Sequence, residues 1–297
     1  MIGSPTVEKS NLCAFSKGSV AGPTLCRCCL PLLEQSQYRA RARIGRGGLV
    51  KGYGIKTFGE LKAEGYDAFY EDQMLEETRD SVETLAELAG GGKVLELAIG
   101  TGRVALPLAE RGLSVHGIEA SEAMAAKLRE KPGGDAIPVV IGDMAEARID
   151  LSFDLIYIVF NTIFNLTTQE AQVRCFHNAA RHLNVEGVFV VETVVPDLSG
   201  FVDGQRMKGS WARMDSARFE IAIHDPIAQT VEFQRVVISE EGAQMYPHFM
   251  RYAWPSELDL MAQLAGLVRV ERWAWWDRSA FTADSKSHVS VYARNKM

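Results

Sequence analysis

Short apolar runs and segments of helical spacing alternate along the middle of this chain. Residues 93–98, 114–118, 138–141, 153–159 and 187–195 read as strands. Each is a brief apolar run bounded by turn signals. Between them, 102–111, 121–131 and 168–183 carry helical spacing, the last amphipathic, while 142–152 has room for at most a short helix. Strands alternating with helices predict a parallel sheet covered on both faces, hence an α/β, doubly wound domain.

The flanks follow different rules. Upstream, 74–89 has helix composition, with Leu75, Thr78, Val82, Leu85 and Leu88 near one face and Gly90-Gly91-Gly92 as a stop. An aromatic-rich segment with Leu61, Tyr66, Phe69 and Tyr70 precedes it. Residues 1–56 show no sustained period. They hold two acids, Glu8 and Glu34, against Arg39, Arg41, Arg43 and Arg46, and glycines break any regular element. They read as an irregular or disordered extension, a leader or upstream read-through, and they lack the apolar core of a targeting signal. The folded domain is expected over 57–297.

Downstream of Pro196 the helices drop out. Residues 218–225, 229–239 and 243–254 read as β segments with turns at Asp225-Pro226 and Glu241-Gly242, predicting an antiparallel insertion over 197–254. A helix at 255–265, opened by Pro255-Ser256, leads to two last strands at 268–276 and 288–294, read as a hairpin with a long loop.

Composition narrows the function. At 297 residues, with 47% hydrophobic and 24% charged residues, the chain can build a sizeable core. A net charge of −6 argues against a broad nucleic-acid surface, which needs clustered Lys and Arg. No run approaches the ~18 apolar residues of a membrane span, so no membrane partner is expected and the cytoplasm is the expected location. Cys13, Cys26, Cys28 and Cys29 crowd the first thirty residues, too tightly spaced for a zinc knuckle, and no metal site is expected.

The chemistry concentrates where the first strand ends. Gly100-Thr101-Gly102-Arg103-Val104-Ala105 fits G-x-G-x-x-G/A, a glycine turn opening a helix, where backbone N–H groups face a ligand. The pattern alone admits a nicotinamide dinucleotide. Three acids then bear on the choice. Glu96 lies in the strand four residues before Gly100, where a carboxylate repels a pyrophosphate but accepts from an ammonium. Glu119 ends the second strand, where it can take both ribose hydroxyls. Asp143 ends the third, placed to accept from an adenine amino group, with Met144 to pack on the ring.

With these residues in place, the chain from about residue 58 onward resembles a class I S-adenosylmethionine-dependent methyltransferase of the bacterial small-molecule type. The likeness lies in Glu96-x-Ala98-x-Gly100-x-Gly102, Glu119 with Ser121 and Met124, Asp143-Met144, and Phe153-Asp154-Leu155-Ile156. It implies a seven-stranded, mostly parallel Rossmann-like sheet whose last strand is antiparallel, with the β insertion following the fifth strand. It implies S-adenosyl-L-methionine as cofactor. Gly100 and Gly102 would approach the methionine part, with Ala98 before them. Glu119 and Ala120 would lie at the ribose, Met124 beside it, and Asp143 and Met144 at the adenine. The Phe160 carbonyl would face the methionine ammonium. Tyr66-Asp67-Ala68-Phe69-Tyr70 matches a segment that folds over the cofactor in such enzymes, through Tyr66 and Tyr70. The insertion would cap the substrate or mediate dimerisation, so a homodimer is one expected assembly. Ala98-Ile99 departs from the commoner glycine pattern, and Glu96 stands where Asp is frequent.

Methyl transfer is an in-line displacement in which alignment supplies about 7–11 kcal/mol of the barrier. The expected acceptor is a small molecule, methylated on N or O with N favoured by the resemblance. A hydroxyl acceptor benefits from a positioned base. Candidates are His224, His248 and Tyr246 in the insertion, with Asn161 and Asn165 placed to orient a polar acceptor. The alternatives are an NAD(P)-dependent oxidoreductase and a catalytically silent partner protein of methyltransferase fold.

Overall fold

The computed structural model describes Gly54 and residues 56–295, with only the backbone described at 58, 61 and 68–77. Eleven strands run in chain order among these residues. They are β1 Lys93–Leu97, β2 Ser114–Glu119, β3 Val139–Ile141, β4 Phe153–Ile158, β5 Leu183–Val194, β6 Gln205–Ala212, β7 Ala217–Asp225, β8 Thr230–Ser239, β9 Gly242–Arg251, β10 Leu267–Trp273 and β11 Ser287–Arg294. The helices are α1 Thr57–Lys62, α2 Tyr66–Ala89, α3 Ala105–Glu110, α4 Glu122–Arg129, α5 Gln169–His182 and α6 Pro255–Leu264.

The main sheet has seven strands in the order β3-β2-β1-β4-β5-β11-β10. β1 to β5 pair in parallel, and β11 runs antiparallel to both β5 and β10. Both faces are covered, so the central strands read as continuous apolar runs rather than as alternating ones. The pleat still sorts their side chains. Val94, Leu155 and Val190 join Val82 and Leu85 of α2 and Leu108 of α3. Leu95, Ile156 and Phe189 join Phe176 of α5 and Leu258 and Met261 of α6 on the opposite face.

The order reverses at β1 and β4, which place their C-terminal ends side by side, and ligands bind open α/β sheets at such a switch point. The expected five strands are all present. β5 begins at Leu183 rather than 187, because α5 passes into it directly. α2 begins at Tyr66, eight residues before the expected helix, and ends on Gly90 at φ +55°, a left-handed C-terminal stop.

The insertion is an antiparallel sheet, β6-β7-β8-β9. Its first strand was absent from the sequence reading. One of its faces packs on the main core through Ala222, Val231, Phe233 and Met250. Buried Arg251, at the end of β9, fastens the join. It donates to Gln172 Oε1 of α5 at 2.5 Å, to Glu257 Oε1 of α6 at 2.7 Å and to Gln229 Oε1 at 3.2 Å. Among the described residues, no helix is long and apolar enough to cross a membrane. Four of the five cysteines lie outside the described residues, and Cys175 is buried in α5.

Candidate active site

The glycine turn after β1 bends through three left-handed positions, Ala98 (φ +60°), Gly100 (φ +58°) and Gly102 (φ +81°). Ala98 accepts a conformation that costs an L-residue about 1–2 kcal/mol, so strain is built into the turn. The two glycines do different work. A Cβ on Gly100 would meet no protein atom closer than the Ala98 carbonyl at 4.0 Å, so the space above it is open to a ligand. A Cβ on Gly102 would lie 2.3 Å from Leu128 Cδ1 of α4, so this glycine serves packing.

Buried Glu119, at the end of β2, organises the turn. Its Oε2 accepts from the Gly100 N–H and its Oε1 from the Ser121 N–H, each at 2.9 Å. A carboxylate oxygen has room for a second donor, so both can still receive ribose hydroxyls. Burial raises the Glu119 pKa, and the backbone N–H groups oppose that shift. A cavity opens here, lined by Ala98, Gly100, Ile118, Glu119, Ala120, Met124, Gly142, Met144, Thr162 and Asn165. Gly54, Gly59 and Tyr66 wall its other side. α1 comes this close because Gly59 lacks a side chain, since a Cβ there would lie 2.4 Å from Ser121 Cβ. Asp67, next to Tyr66, is fixed to the glycine turn: Thr101 Oγ1 donates to its Oδ1 at 2.6 Å, and Lys131 Nζ pairs with its Oδ2 at 2.8 Å.

A second cavity continues from the first and shares Tyr66, Ala98, Gly100 and Thr162 with it. Glu96, Thr101, Arg103 and Phe160 are among its other lining residues. Glu96 is buried, accepts from the Tyr157 phenol at 2.7 Å, and is pushed up to about 8 by burial. The Arg103 guanidinium lies 3.4 Å above the Phe160 ring. Phe160 and Asn161 follow β4 in consecutive left-handed conformations, φ +56° and φ +60°. They are pinned to β5: the Phe160 N–H donates to Glu192 Oε2 at 2.6 Å, and the Val194 N–H donates to Asn161 Oδ1 at 2.6 Å.

The structure thus brings Glu96, Ala98, Gly100, Glu119, Ala120, Met124, Met144, Phe160 and Tyr66 onto the walls of two joined cavities. Asp143 sits beside Gly142 and Met144 in a turn, its Oδ1 accepting from the Ala145 N–H at 2.8 Å. The Tyr70 side chain lies outside the described residues. Of the five residues named for the acceptor chemistry, Asn165 lines the cavity and His224, His248, Tyr246 and Asn161 do not. The Asn161 amide oxygen straps β4 to β5. His224 stacks on Phe201 and pairs through Nε2 with the Tyr252 hydroxyl at 3.0 Å, within the insertion. Tyr246 turns its hydroxyl to Gln244 Oε1 at 2.6 Å, and neither it nor His224 lines these cavities. His248 reaches the site indirectly, through Asn165 at 3.0 Å. Arg103, Asp67 and Tyr157 were given no role of their own from the sequence. Arg103 and Asp67 had signals, their places inside the glycine motif and the Tyr66–Tyr70 segment; Tyr157 acquires its role only by its pairing with Glu96.

An open glycine cradle, a strand-end carboxylate and a methionine-lined wall fit an adenosyl amino acid. The comparisons agree. Residues 94–187 match the family model described as a methyltransferase domain. The structure of the CcbJ methyltransferase from Streptomyces caelestis is 38% identical in sequence, covers 82% of this chain and 99% of its own, and superposes with a TM-score of 0.76. The cypemycin N-terminal methyltransferase of a Streptomyces species is 28% identical over 69% of this chain and 84% of its own length. The S-adenosylmethionine-bound amino pentose methyltransferase CalS10 from Micromonospora echinaspora, 18% identical, covers 89% of this chain and 97% of its own and shares the fold at a TM-score of 0.57. The chain belongs to the class I S-adenosylmethionine-dependent methyltransferases. The nicotinamide reading of the glycine motif is set aside.

Proposed function

We propose that this enzyme methylates a nitrogen of a small-molecule acceptor. The observation that carries the reading is the continuity of the two cavities with the turn Thr162–Asn165, which lies under β9 of the insertion. On the side of that turn, an acceptor entering the cavity meets Thr162 and Asn165, polar side chains that are not bases at neutral pH. A neutral amine needs none, whereas a hydroxyl is helped by one. The similarity to the cypemycin N-terminal methyltransferase supports nitrogen as well.

When bound, the cofactor supplies an electrophilic methyl group on a sulfonium. The chain's residues bind and align. Glu119 takes the ribose hydroxyls while its other lone pairs hold the turn. Met144 and Met124 pack on the adenosine. Glu96 accepts from the methionine ammonium, and Arg103, kept flat by Phe160, takes the carboxylate. Tyr66 closes the cavity, and Asp67 holds it there through Thr101 and Lys131. Excluding water around the sulfonium strengthens each of these polar contacts.

The test is a panel of amines and alcohols incubated with S-adenosylmethionine and followed for a mass gain of about 14 Da, the replacement of H by CH₃. Methylation of amines is expected. Turnover confined to hydroxyl acceptors overturns the nitrogen assignment.

A further inference from the structure

The turn Thr162–Asn165 is held from behind by two side chains. Gln172 Nε2 donates to the Ile163 carbonyl at 3.3 Å. His248 of β9 places Nε2 at 3.0 Å from Asn165 Oδ1. An amide oxygen only accepts, so Nε2 carries the proton of that bond. Burial, then the Lys62 and Arg235 cations, push the His248 imidazole down to about 3, so it is neutral at physiological pH. A neutral imidazole has a single N–H, and His248 commits its own to Asn165.

This arrangement fixes which end of the Asn165 carboxamide is available. In this orientation Oδ1 accepts from the Nε2–H of His248. The Nδ2 group, with two donors, is the other end, and no acceptor for it is found among the described residues. Asn165 and Thr162 both line the cavity that contains Glu119 and Gly100.

We propose that Asn165 Nδ2 selects the acceptor by donating to an oxygen of the substrate, and that His248 is the positioning residue that sets its orientation. The inference rests on the N-methylation reading and names the substrate class within it: an amine with an oxygen on a neighbouring carbon, as in an amino alcohol or an α-amino carbonyl compound. A site built to hydrogen-bond a substrate group rejects an analogue lacking it, because the donor, closed off from water by the bound analogue, is then left unpaired. Lys62 and Arg235, which already act on His248, oppose an ammonium near this wall and favour the neutral amine that the reaction needs.

The experiment uses the full chain and two sets of probes: amino-sugar methyl glycosides, amino-acid amides and dipeptides, and the oxygen-free cyclohexylamine and butylamine. Wild-type turnover is expected for members of the first set alone. Asn165→Leu and Asn165→Asp are expected to raise the acceptor KM at least about tenfold while lowering kcat by less than about threefold. His248→Phe, which keeps a ring and loses the donor, shifts KM in the same direction, and His248→Gln, whose amide can donate, restores it. Binding of S-adenosylhomocysteine, measured by calorimetry, stays within about twofold in every variant, which also reports an intact fold. The proposal is overturned by equal turnover of the oxygen-free amines, by no turnover of either set, by Asn165 variants that lose S-adenosylhomocysteine rather than acceptor, or by a His248→Phe KM equal to wild type. Failure of the intact protein to bind S-adenosylhomocysteine would instead sink the methyl-transfer reading beneath it.

Discussion

Tyr157 donates its phenol to Glu96 Oε2 across 2.7 Å, and both side chains are buried beneath the glycine turn. The bond favours the carboxylate, yet burial outweighs it and holds the Glu96 carboxyl at about 8. Burial therefore favours the protonated carboxyl in the free enzyme at neutral pH. A methionine ammonium beside it favours the ionised form, so binding should expel a proton.

The affinity for S-adenosylhomocysteine is then expected to rise with pH up to about 8 and to level off above it. Calorimetry at pH 7 in buffers of different ionisation heat should register the released proton, and Glu96→Gln should abolish both effects. Stability of the free enzyme has the opposite sign. Between 4.5 and about 8 the folded state holds a proton that the unfolded chain lacks, so the stability from this group falls as pH rises through that window. An affinity flat from pH 6 to 8 in the intact protein would contradict the assignment of Glu96 to the ammonium.

Arg103 is held 3.4 Å over the Phe160 ring at the methionine end of the cavity. Arg103→Leu should weaken S-adenosylhomocysteine by about 1.5–3 kcal/mol, the range for hydrogen bonds to charged groups. Arg103→Lys keeps the charge but loses the planar stack, and is expected to recover only part of the affinity. Calorimetry on the two variants checks this. An unchanged affinity in Arg103→Leu would remove the residue from the site.

Arg251 carries the attachment of the insertion. Arg251→Ala strands Glu257, Gln172 and Gln229 around an empty space and should cost about 3–5 kcal/mol of stability. Arg251→Met, which refills the volume, should cost less. Denaturant unfolding of both variants measures the difference.

The main sheet was legible because its strands are buried on both faces and leave unbroken apolar runs such as 155–159. β6 was not, because nearly every residue from Gln205 to Ala212 is exposed and no alternation marks it. The first turns of α2 were hidden in the same way, since Tyr66, Phe69 and Tyr70 look like an aromatic cluster rather than a helical face. In the site, strand-end carboxylates and glycines could be placed from local pattern alone. His248 could not: its charge state and its hold on Asn165 come from β9 lying beside a turn 83 residues away. Gly102 illustrates the converse, a motif glycine whose local signal suggested a ligand and whose tertiary neighbour is Leu128.

Glu119 holds the glycine turn in a form suited to an adenosyl amino acid, and calorimetry with S-adenosylhomocysteine tests this most directly. One-to-one binding is expected in the intact protein, weakened in Glu119→Ala by about 1.5–3 kcal/mol, or roughly ten- to a hundredfold. No heat with S-adenosylhomocysteine, or full affinity without the Glu119 carboxylate, would contradict it.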